Sequence, residues 1–165
     1  MLALRYVYVL ALVVWLGGMV ILGAIVAPTL FQVLQAAAPE AGRTLAGQAF
    51  GAILSRFHYA AYASGGLLLF TLGLMAMLGP RPRGFAVRVL LICLMLGVAL
   101  YSGMVVLDNV DAIQREAGTL PSLLPAADIR RIRFDALHVL STRLMAFNIL
   151  GALVLLYWEA REYER

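Results

Sequence analysis

Lysine is absent from this chain: all 13 of its basic residues are arginine. No Schiff-base amine or phosphate-loop lysine is available, and neither a Gly-x-x-x-x-Gly-Lys-Ser/Thr pattern nor a dinucleotide glycine fingerprint occurs, so nothing points to nucleotide chemistry. Charge of either sign is scarce. Charged residues make up 13% of the 165, against roughly 25% in an average soluble domain, and 63% are hydrophobic. That excludes an ordinary soluble globular protein. Cys93 is the single cysteine; it cannot form an intramolecular disulfide, and inside an apolar run it reads as a small packing residue. Carboxylates are missing from the interiors of the apolar runs, where a proton-coupled transporter would need one, since Asp108 and Asp135 lie near run ends.

What the chain has instead is length in its apolar runs. Four of them, at about 2–34, 57–78, 85–107 and 137–158, reach the roughly 20 residues needed to cross a hydrocarbon core of about 30 Å. The first is too long for a signal peptide and reads as a retained span. A net charge of +4 and a pI near 9.6 do not signal nucleic acid, because the arginines flank the apolar runs singly or in short clusters, as in membrane proteins. At about 150 residues per domain the whole chain, 1–165, is one membrane unit. Between the first two spans, Leu45, Phe50, Ile53, Leu54 and Phe57 recur at helical spacing with Arg43, Gln48 and Arg56 opposite, which predicts an amphipathic interfacial helix over about 39–56. A tight Gly79 to Gly84 turn follows the second span. The third connection, 108–134, carries Pro121 and Pro125, and Asp128 is placed to start the next helix.

Four spans put both termini on one side. Six arginines near span ends fall on that side and six on the other; the tie breaks toward cytoplasmic termini, because the shortest loop packs Arg81, Arg83 and Arg88 together. The expected location is the cell (inner) membrane.

Function should show in polar residues at membrane depth, which hydrocarbon penalises. Asp135, His138, Ser141, Thr142, Met145, Asn148 and Ala152 recur at three- and four-residue spacing, so they share one face of the fourth helix, turned into the bundle. Asn148 lies about 15 Å past His138 by helical rise, deep enough to call for an interhelical partner. Arg143 points away from that stripe and is expected to form a buried ion pair with Asp108 or Asp111. A second stripe, Cys93, Gly97, Tyr101, Met104 and Asp108, marks the third span. Ala99 with Gly103, and Ala61 with Gly65, have the spacing of closely packed helices. His58 and His138 open the second and fourth spans at similar depth; two facing imidazoles are a set that ligates haem b or, with Asp135, a divalent metal. The scattered methionines read as core filling rather than a copper path.

Trp15-Leu16-Gly17-Gly18, Ala27-Pro28, Arg56-Phe57-His58-Tyr59, and Phe134-Asp135-Ala136-Leu137-His138-Val139-Leu140-Ser141 with Asn148 resemble, over nearly the whole chain, the bacterial branch of the transmembrane-protein-205-like family. Those are small four-span membrane proteins without an assigned activity. The family is in turn similar to copper-resistance D-type membrane domains and to haem-binding protoporphyrinogen oxidases, a likeness that implies His138 as a ligand position and His58 as its weaker companion. The expectation is therefore an all-α, four-transmembrane-helix bundle of unassigned activity, more a non-enzymatic membrane protein than an enzyme. Its fourth-helix stripe reads first as hydrogen-bonded packing between helices and second as a small ligand site. The alternatives are a haem- or metal-binding redox component using His138 and His58, and an interaction partner of another membrane protein. An enzyme would be a membrane oxidoreductase. The bilayer surrounds it, and a homo-oligomer or another membrane protein is its expected partner.

Overall fold

A computed structural model describes residues 2–163, and these are helical apart from short turns. Four long helices carry the fold: α1, Leu2–Ala37; α2, Gly42–Leu78; α3, Phe85–Ala117; and α4, Ile129–Tyr163. Each is long and apolar enough to cross a membrane. They pack in chain order, α1 on α2, α2 on α3, α3 on α4, and α4 closes back on α1. This is an up-down-up-down bundle, the arrangement that short connections between antiparallel helices favour.

The end carrying the termini is tightly filled. Leu12, Leu68, Leu72, Ile92, Met95 and Leu155 are fully buried there around Tyr8 and Trp15. The outside is as apolar as the inside: Leu10, Val14, Phe70, Leu90, Leu94, Leu150 and Leu153 all lie exposed. Water would leave that surface unstable, whereas lipid tails suit it. Two buried charges are matched at this end. Arg88, 1% exposed, donates to Glu159 at 3.0 Å, and Arg5 reaches the same carboxylate at 3.7 Å, so one side chain of α4 ties α1 and α3.

The segment expected as a separate interfacial helix is the first part of α2. Nothing between Gly42 and Leu78 breaks the helix, because the segment holds no proline and no irregular turn. It packs on the second half of α1, with Ala46 fully buried, while Leu45 and Ile53 of its apolar face stay exposed. The turn between them is closed by Gly42, whose absent Cβ makes room for the Leu34 carbonyl. At 37 residues α2 is about 55 Å long by helical rise, well beyond a hydrocarbon core.

Two helices are not regular throughout. α1 has a π-helical turn at Leu22–Val26 and α3 another at Ser102–Val106. The first is explained by Pro28, which lacks an N–H and crowds the carbonyl of Ala24 four residues back, inside that turn. α4 starts where Asp128 caps it: the Asp128 carboxylate accepts from the Arg130 backbone N–H at 2.8 Å and from its side chain at 2.6 Å.

Candidate functional site

Beyond the packed end, the helices separate around an open cavity of about 650 Å³. Its floor is Trp15, Met19, Ala61, Ala99 and Asn148, and its aromatic wall is Phe31, Phe50, Phe57 and Phe134. Both π-helical turns line it, through Leu22 and Gly23 in α1 and Ser102 and Val106 in α3. A π turn inserts one residue and swings the following side chains around the axis, a device common at functional sites.

The polar stripe of α4 faces this space. Asp135, His138, Ser141, Thr142, Met145 and Asn148 all line it. Asp135, His138 and Thr142 are exposed toward the mouth, Ser141 is half-buried, and Asn148 is 5% exposed at the floor. His138 stacks on Phe134, with ring centroids 6.2 Å apart, and Thr142 donates to the His138 carbonyl at 2.9 Å. Asp135 lies 3.8 Å from Arg131, one turn back. The charged lining residues, Arg43, Asp111 and Asp135, come from the far-end parts of α2, α3 and α4. Asn148 is thirteen residues beyond Asp135, about 20 Å along the axis. The partner expected for Asn148 is not there: its buried side-chain oxygen has no hydrogen-bond donor among the described residues. Asn148 is among the residues that line the cavity, and its oxygen lies almost wholly covered beside it.

His58 lines the same cavity from α2. It is 8% exposed and donates from Nδ1 to the Leu54 carbonyl at 2.8 Å, so one ring nitrogen is engaged by its own helix. The ring is held where α3 comes closest: a Cβ on Gly103 would overlap the Tyr62 hydroxyl and the His58 ring. His58 also walls a smaller notch of about 200 Å³ outside, with Ser55, Tyr62 and Asp108. Among the described residues no three His, Cys, Asp or Glu side chains come together as a metal set, and the geometry gives haem or metal ligation no support.

The ion pair expected of Arg143 is not formed. Arg143 and Asp108 are both exposed, and no carboxylate of the described residues lies within ion-pair distance of Arg143. An outward position lets its long stem carry the charge along the helix surface instead of into the core. The buried pair is Arg88 with Glu159. Its sequence signal is an arginine one turn inside an apolar run and a glutamate just past the end of another on the same side of the bundle. The second expected stripe faces outward as well, since Cys93, Gly97, Tyr101, Met104 and Asp108 are all exposed.

A family model described as a domain of unknown function, DUF4149, matches residues 10–119, which is α1 from its third turn through α2 and α3. No curated protein and no solved structure matches the chain, so the resemblance to the transmembrane-protein-205-like, copper-resistance and protoporphyrinogen oxidase groups gains no support.

Proposed function

This chain belongs to the DUF4149 family, and on that premise we propose that it is a multi-pass protein of the cell membrane that holds one small amphipathic ligand in the far-end cavity. The observation that carries this reading is the cavity itself: about 650 Å³, within the size range of small-molecule sites, with an aromatic wall facing the polar stripe of α4. The closed end keeps the space from becoming a through-channel, because Leu12, Leu72, Met95 and Leu155 fill the axis there. The exposed apolar faces of the helices support a lipid environment. Arg81 and Arg83 in the shortest loop favour cytoplasmic termini, which places the cavity mouth on the opposite side.

Trp15 is a built-in reporter, since it lies at the cavity floor and is 1% exposed. The only other tryptophan, Trp158, sits near the end of α4 and can be replaced by Phe. In lipid nanodiscs, a bromine-bearing single-chain amphiphile is expected to quench Trp15 in a saturable manner, reversed by its unbrominated parent. Quenching that rises only linearly with probe, as for bulk partitioning, would remove the reading.

A further inference from the structure

The floor of the cavity restricts what its ligand is. Asn148 is 95% buried by the 5% exposure of its surface, lines the cavity, and carries a side-chain oxygen with no donor. An unpaired buried polar atom is costly, so the position favours an occupant that completes its hydrogen bonds. The surroundings say which kind. Among the described residues no charged side chain lines the floor; Asp135 stands at the mouth about 20 Å away along α4, and Arg43 and Asp111 belong to the far-end parts of α2 and α3. An ionised head group brought to Asn148 would lose its water without gaining a counter-charge, a large penalty in a low-dielectric site. A purely apolar occupant would leave the amide unsatisfied. A carboxamide offers a donor and an acceptor side by side, and a hydroxyl is the smallest neutral group that can answer either.

Resting on the ligand-cavity reading above, we infer that the ligand is a neutral, hydroxyl-bearing lipid-like molecule whose hydroxyl bonds Asn148 at the floor while its apolar body lies along Trp15, Phe57 and Met145. The shared chemistry is that of a long-chain alcohol, whether a free alkanol or the hydroxyl end of a larger neutral lipid.

The test compares three brominated probes of equal chain length in the Trp158→Phe protein: the primary alcohol, the fatty acid at a pH that keeps it ionised, and the alkane. The alcohol is expected to bind about tenfold more tightly than either of the others, and that preference to vanish in Asn148→Leu. Asn148→Leu is expected to fold, with a melting temperature equal to or above that of the parent, because it removes an unpaired polar atom. The conservative Asn148→Gln should keep part of the preference. Equal saturable binding of all three probes, or a preference unchanged in Asn148→Leu, would overturn the hydroxyl assignment and leave the cavity reading standing. Absence of saturable quenching by any probe would overturn the cavity reading itself. A diol-bearing single-chain glycerolipid competing as well as the alkanol would identify the larger-lipid source, and both sources satisfy the assignment.

Discussion

Asn148 and Glu159 stand on the same helix and show two different fates of a polar side chain in an apolar bundle. The three- and four-residue spacing of α4 is enough to place Asn148 on an inward face. That its oxygen finds no donor depends on which side chains of the other helices reach it, which no spacing along one helix encodes. Glu159 meets its partner because the bundle closes at that end. Arg88 is 1% exposed, so the pair is a desolvated one whose halves depend on each other. Replacing Glu159 with Leu is expected to lower stability in detergent by about 3 kcal/mol, and by well under that in a protein already carrying Arg88→Met. Losses that simply add in the double variant would show that the two side chains do not support one another. Arg143 is the reverse case: its depth along the sequence suggests burial, yet its position around the helix turns it outward.

Whole elements follow local sequence except where tertiary packing intervenes. The four apolar runs, the arginine turn and the start of α4 at Asp128 are all legible from run length, proline position and capping chemistry. The continuity of α2 is not, because an amphipathic stretch looks alike whether it forms a helix of its own or runs unbroken into the next span; here no proline or irregular turn separates the two. The π-helical turns are also invisible to periodicity, although Pro28 signals that α1 cannot remain regular there. The cap of α4 carries a pH dependence. Hydrogen bonds from the Arg130 side chain and backbone hold the Asp128 carboxyl down at about 2. Its value is lowered on folding, so its contribution is complete above the ordinary carboxyl range near about 4 and is lost as pH falls through about 2. Amide exchange in the first turn of α4 is expected to accelerate across that interval, and Asp128→Asn, which still caps but does not titrate, to abolish the step. An unchanged acid step in Asp128→Asn would assign it to another group.

At the scale of the molecule, the bundle is asymmetric: sealed around Tyr8, Leu72 and Leu155 at the end with the termini, open around Asn148, His138 and Phe57 at the other. The seal arises from interlocking small and large residues, as where Gly151 accepts Met95. The opening arises where π turns and projecting helix ends prevent the same interlock. Composition and run length alone make a bundle of four helices long and apolar enough to cross a membrane legible. The cavity is not, since it is a property of helix separation, and the polar stripe reads equally well as interhelical glue.

Photolabelling would show where an amphiphile sits in the protein. A neutral single-chain amphiphile carrying a diazirine at the alcohol end would be activated in the membrane-bound protein and its attachment sites mapped by peptide mass spectrometry. Labels on Met19, Ser141, Met145 and the residues flanking Asn148, competed by unlabelled alcohol, are the result expected of an occupied cavity. Labels confined to the outward Leu90, Leu150 and Leu153, and indifferent to competitor, would mean that lipid touches only the outside and that the cavity holds no amphiphile.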